Sequence, residues 1–234
     1  MFDPKSLLDQ FLGSQAGGSI RNAGQAAKGR LDQYSGSGGF VRGAAAGGLL
    51  GLLLGGKGVR KAAGGMLGYG GAAVVGALAL KAYQNYQQQK AAAPVTLTPE
   101  QFAELGDKAL PHSQPGADGA PFQLALIRAM VGAAKADGHV DAAEQQRLFS
   151  EVERLELDAE AKAFVFDLLG KPTDLEGITA AVATPEQGAE VYLASRLAID
   201  PDVPAERAWL DALAARLKLP AELRAQLDAQ AASA

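Results

Sequence analysis

The densest group of side chains that could do chemistry is Ala136 to Glu144, ADGHVDAAE, where Asp137, His139, Asp141 and Glu144 fall within a loop and the first turn of a helix. Carboxylates at this spacing make a candidate oxygen-rich site for a divalent metal ion, with Asp137, Asp141 and Glu144 as ligands. The pattern is not an EF-hand: counted from Asp137, glycine stands second and the glutamate eighth, where that loop needs the sixth and the twelfth. Capping accounts for the same residues. Asp141-x-x-Glu144 is a capping box, and acids at a helix N-terminus are favoured by the helix dipole with or without a metal. His139 has no evident nucleophile or orienting partner, so the sequence indicates no catalytic residue and no enzyme. His112, in the loop Pro111 to Gly119, is expected to be solvated. The chain has no cysteine, which excludes a thiol nucleophile, thiolate metal ligands and disulfides.

The elements that must carry this loop are helices. From 121 to 230 the chain is rich in helix starts and poor in strand alternation. Pro121 opens a helix with Phe122, Ala125, Leu126 and Ala129 on one face. Asp141 and Asp158 cap two more. Thr173 with Glu176, and Thr184 with Pro185 and Gln187, read as capping signals; Pro204 and Pro220 open the last two helices. About seven helices with short loops predict a compact bundle. KADGHVDAAEQQRLFSEVERLELDAE and LAIDPDVPAERAWLDALAARLKLPAE form a weak internal repeat, matching Glu144 with Glu206 and Leu148 with Leu210. One residue is missing in the second loop, which brings Asp137 onto Asp200, and two pseudo-repeated halves are expected.

Upstream the composition changes. The 29 glycines fall mostly before residue 77, basic residues dominate the first 90 positions, and acidic ones the last 130. A net charge of −4 and a pI near 5.3 argue against a nucleic-acid partner. Residues 1–41 read as an arm: an amphipathic helix with Phe2, Leu7, Leu8, Phe11 and Leu12, stopped at Gly13, then a flexible basic linker. The helix is expected to pack on a partner or lie on a bilayer. No secretory signal is recognisable in Met1 to Gly13, which carries Asp3 and Asp9.

Residues 42–82 read as a membrane segment. Ala62 to Leu80 is 19 residues without a charge, close to the length a helix needs to span a ~30 Å hydrocarbon core. Gly43 to Gly56, with 14 residues, is short for a span. Lys81, Tyr83 and Tyr86 follow as interfacial anchors. Small residues recur every fourth position, at Gly43, Gly47, Gly51 and Gly55 and again at Gly64, Gly68, Ala72 and Gly76, which predicts close helix packing as a hairpin, a homo-oligomer or both. Gly51 to Lys57 resembles a P-loop superficially, but Gly58 replaces the required hydroxyl residue. Residues 83–120 read as a linker with one short helix, capped by Thr98 with Pro99 and Gln101.

KADGHVDAAEQQR, EVYLASRLAIDPDVPAERAWLDALAARLKLP and the segment KGVRKAAGGMLGYGGAA followed by KAYQNYQQQ resemble the bacterial inner-membrane family typified by YebE, a group of unknown function. The soluble half is similar to the TerB tellurite-resistance domain. The resemblance implies an all-α fold, with a glycine-rich transmembrane segment or hairpin followed by a TerB-like bundle, and an inner-membrane location; if the two apolar segments span as a hairpin, the basic residues of the flanking arms place the soluble domain on the cytoplasmic side, and a single span places it outside. It implies metal binding through acidic loop residues, for which Asp137, Asp141, Glu144, Asp200 and Glu206 match; Pro204 replaces the acid that corresponds to Asp141. The expectation is a self-associating membrane scaffold or sensor in envelope or metal/oxyanion stress, with the bilayer, further copies and an unidentified protein as partners. A metal-dependent hydrolase using the acidic loop and a pore-forming protein are the alternatives.

Overall fold

The computed structural model describes residues 3–12, 71–136, 157–199 and 203–233. Nine α-helices are present among them: α1 (Pro4–Leu12), α2 (Gly71–Gln87), α3 (Pro99–Leu105), α4 (Gln123–Ala134), α5 (Ala159–Gly170), α6 (Leu175–Ala180), α7 (Pro185–Leu197), α8 (Pro204–Arg216) and α9 (Ala221–Ser233). Two 3-10 turns, Asp107–Ala109 and Pro111–Ser113, join α3 towards α4. The described residues form no strand beyond an isolated bridge between Pro115 and Pro121.

Local chemistry sets most boundaries. Asp3 accepts the Lys5 N–H at 3.0 Å, and Pro4 takes the first helical position of α1. At α3, the Thr98 hydroxyl accepts the Gln101 N–H and the Gln101 side chain accepts the Thr98 N–H, so the capping box forms as the sequence predicts. Asp158 caps α5 through the Ala161 N–H at 2.7 Å, and Thr184 caps α7 through the Gln187 N–H at 3.2 Å. Two expected starts move. Asp174, not Thr173, caps α6 by accepting the Gly177 N–H at 2.8 Å. Pro121 is held in the bridge to Pro115, so α4 begins at Gln123.

Helix α7 is the axis of the fold. It packs against α2, α4, α8 and α9, and every residue from Gln187 to Ser195 is buried. A helix covered on all sides needs no apolar stripe, which explains why its sequence reads as weakly amphipathic. Helix α2 has the same character: Ala72 to Ala79 are buried without a break, against α1, α7 and α9. This corrects the reading of Ala62 to Leu80 as one lipid-facing span, because from Gly71 onward the segment packs against protein. No helix of the described residues is long and apolar enough to cross a membrane. Tyr83 and Tyr86 are partly buried against the core and line a shallow cavity of about 410 Å³ with Leu217 and Leu219.

Helix α1 packs on α2 and α4, with Leu7, Leu8, Phe11 and Leu12 in the core. Its partner is therefore this chain. The Asp9 carboxylate accepts the Ala72 N–H at 3.2 Å and so caps α2 from a helix 63 positions away.

The acidic loop residues Asp137, Asp141 and Glu144, with His139, lie outside the described residues, as do Asp200, Gly43, Gly47, Gly51, Gly55, Gly64 and Gly68. The first copy of the internal repeat falls largely on the same region. Among the described residues, no three His, Cys, Asp or Glu side chains cluster as a metal site would require. Glu206 is described, and is buried in the first turn of α8.

Candidate functional site

His112 is the principal correction at residue level. Expected in solvent, it is fully buried, as is Glu190, and its Nδ1 is hydrogen-bonded to Glu190 Oε1 at 2.6 Å. Pro111 opens the 3-10 turn that turns His112 inward, and Glu190 projects from the middle of α7. The third participant is Gly76 of α2. A Cβ placed there would stand 2.6 Å from His112 Nδ1 and 2.7 Å from Glu190 Oε1. Glycine at 76 is thus required for three segments to meet at one point. The expected role of Gly76 was packing between membrane helices; the close approach it permits is to the imidazole and carboxylate of its own domain. Ala72, the other described member of that stripe, is buried one turn away.

Burial raises the Glu190 carboxyl above its ordinary value, and the hydrogen bond and charge of His112 oppose that rise. Glu190 Oε2 is also buried and has no hydrogen-bond partner among the described residues. Such a pair is costly to assemble and more costly to break by removing one member. Neither side chain reaches solvent, so the pair joins elements within the core.

A second group secures the same turn. Gln187 Nε2 donates to the carbonyls of Pro111 at 3.3 Å and Pro115 at 3.0 Å, while its Oε1 accepts the Ala183 N–H at 2.7 Å. The loop carrying His112 is thereby tied to the start of α7. On the opposite face, the Tyr192 hydroxyl donates to Asp228 at 2.9 Å and accepts from Arg224 Nε at 2.9 Å, linking α7 to α9. Burial and the Asp228 charge push the Tyr192 hydroxyl well above its ordinary value. Sequence reasoning missed Glu190, and read Gln187 as part of a helix cap without its ties to Pro111 and Pro115. The only signal for Glu190 was a polar residue on an otherwise apolar helix face, a pattern that exposed residues also produce.

Residues 39–231 match the family described as "Protein of unknown function (DUF533)". The chain belongs to the DUF533 family. The match takes in α2 through most of α9 and stops short of α1, although α1 contributes to the same core. An "Uncharacterized protein in ampR 5'region" from Yersinia enterocolitica is 28% identical over 99 residues, covering 42% of this chain and 71% of that protein. No solved structure matches the chain. In this DUF533 protein the His112–Glu190 pair, with Gly76, is therefore described from its own geometry.

Proposed function

We propose that this protein is a membrane-attached scaffold or sensor of the YebE type, with a TerB-like helical domain and no catalytic role. One observation supports this reading most. The glycine-rich, apolar stretch runs directly into α2, and α2 passes through the centre of the helical body against α7 and α9. A change in association or lipid contact at the stretch has a continuous path to the His112–Glu190 pair, because Gly76 lies against both side chains. Self-association proceeds through the small-residue stripe at Gly43, Gly47, Gly51, Gly55, Gly64 and Gly68. Bacterial inner-membrane attachment and a part in envelope or metal/oxyanion stress follow from the same likeness.

The test is chemical crosslinking of the full chain in membranes, comparing the natural sequence with Gly64→Leu and Gly68→Leu. Loss of crosslinked oligomers in both variants is the expected result; oligomers unchanged by either would sink the packing role. Gly76→Leu is unsuited to this comparison, since it would disrupt the domain core.

A further inference from the structure

Residues 90–97, KAAAPVTL, run from the end of α2 to the cap of α3, and α9 holds them by their backbone. Gln230 accepts the Val95 N–H at 2.6 Å and donates to the Val95 carbonyl at 3.1 Å. The N–H and C=O of one residue point the same way in an extended chain, so Gln230 pairs with Val95 as a neighbouring strand would. Gln226, one turn earlier on the same face of α9, donates from Nε2 to the Lys90 carbonyl at 2.7 Å. Its Oε1 is buried and has no hydrogen-bond partner among the described residues, and Gln226 as a whole is 2% exposed. One glutamine is therefore fully used and the other half used. A buried amide with an idle acceptor points to a donor, and Gln230 shows which kind, a peptide N–H.

The side chains of the segment add little to this hold. Ala91, Ala92, Ala93, Pro94 and Thr96 are exposed. Val95, partly buried, and Leu97, buried, pack on the core, two positions apart as an extended chain requires. Recognition is thus of backbone groups plus two apolar side chains, the chemistry by which a sheet edge takes up a peptide. Any extended chain with that alternation offers the same groups.

We propose that α9 carries a docking face for an extended peptide of a partner protein, with apolar residues at alternate positions, and that residues 90–97 are its resident, displaceable occupant. The incoming backbone replaces Val95 at Gln230 and Lys90 at Gln226, and supplies the N–H that Gln226 Oε1 lacks. Displacement frees the connection between α2 and α3 while the packing of α2, α7 and α9 stays. Docking at α9 is independent of membrane attachment.

The probe is a synthetic peptide of sequence KAAAPVTL, blocked at both ends and carrying a fluorophore. Its anisotropy is titrated with the full chain and with the double variant Val95→Ala, Leu97→Ala, which loosens the resident segment and keeps its backbone. The peptide should bind the double variant roughly tenfold more tightly than the natural chain, and Gln226→Ala or Gln230→Ala added to that variant should abolish the binding. No binding to the double variant, or binding indifferent to both glutamines, overturns the proposal. A peptide N-methylated at its valine lacks the N–H that Gln230 reads and should bind roughly tenfold more weakly; equal binding overturns backbone recognition. The natural chain supplies a readout that needs no substitution. With unlabelled peptide in excess, hydrogen–deuterium exchange at Val95 should accelerate while α7 is unchanged, and no change at Val95 overturns displacement. Sedimentation of the natural chain separates the two sources of such a peptide: dimers lost on Gln230→Ala would assign the face to a second copy and overturn the partner reading.

Discussion

At Gly76 a single methyl group would meet His112 and Glu190 inside contact distance. In an exposed helix, replacing glycine by alanine gains up to ~1 kcal/mol. Here the added carbon would press on two fully buried side chains, and overpacking of that kind costs ~1–3 kcal/mol. Gly76→Ala is thus expected to lower stability in urea unfolding, opposite in sign to helix propensity. The pair beneath it makes a second prediction. The Glu190 carboxyl is raised from its ordinary 4.5 by burial, so between that value and its folded-state value the native protein binds more protons than the unfolded chain. The Glu190 contribution is fully present below about pH 4.5 and is lost as pH rises through the folded-state value. Glu190→Gln should remove that part of the pH dependence, seen as a flatter profile of unfolding free energy against pH than the natural chain gives. A profile unchanged by the substitution would contradict the assignment. His112→Ala, which leaves a buried carboxylate without its partner, should cost ~3–5 kcal/mol.

At the scale of elements, the chain after α2 is strapped to α9. Helix α2 ends with Gln89 in the left-handed region, at φ 53°, and the Lys90 N–H bonds back to Asn85 O at 3.0 Å. Gln226 Nε2 then donates to Lys90 O at 2.7 Å. The Gln230 side chain takes both backbone groups of Val95, accepting its N–H at 2.6 Å and donating to its carbonyl at 3.1 Å. Two side chains on one helix face thus supply the partners that an extended segment would otherwise find in a neighbouring strand. Gln230→Ala leaves the Val95 groups without them, at a cost of ~1–3 kcal/mol. It should speed amide exchange at Val95 by more than at α7, measured by hydrogen–deuterium exchange. A uniform acceleration across the domain would show instead that the strap and the bundle open together. Lys135 does comparable work at the end of α4, donating to the carbonyls of Leu168 at 2.9 Å and Leu169 at 3.0 Å and so closing the C-terminus of α5.

For the molecule as a whole, the contact between Leu12 and Gly71 joins the end of α1 to the start of α2. Leu12→Cys with Gly71→Cys tests that contact directly. The two Cβ atoms need to move apart by about an ångström to reach disulfide spacing. Oxidation should give a bond visible as a mobility shift without reductant, and a stability gain of ~2–4 kcal/mol from constraining the unfolded chain. Absence of the bond under oxidising conditions would argue against α1 docking at this point.

Much of the helical layout was legible locally. The caps at Asp158 and Thr184, the box at Thr98 and the starts at Pro204 and Pro220 all lie within one turn of the groups they serve, so short-range chemistry is enough to place them. The all-α class follows from the same signals. The sequence could not say what covers an apolar helix. Residues 71 to 80 carry no charge, and lipid and protein cores favour the same side chains, so only the packing of α2 against α1, α7 and α9 separates the two environments. Nor could spacing show that His112 meets Glu190, because they stand 78 positions apart and the glycine that admits them belongs to a third element. Helix caps are local and helix burial is not: the sequence by itself determined where most of these helices begin, and the tertiary structure decided which of their faces meet.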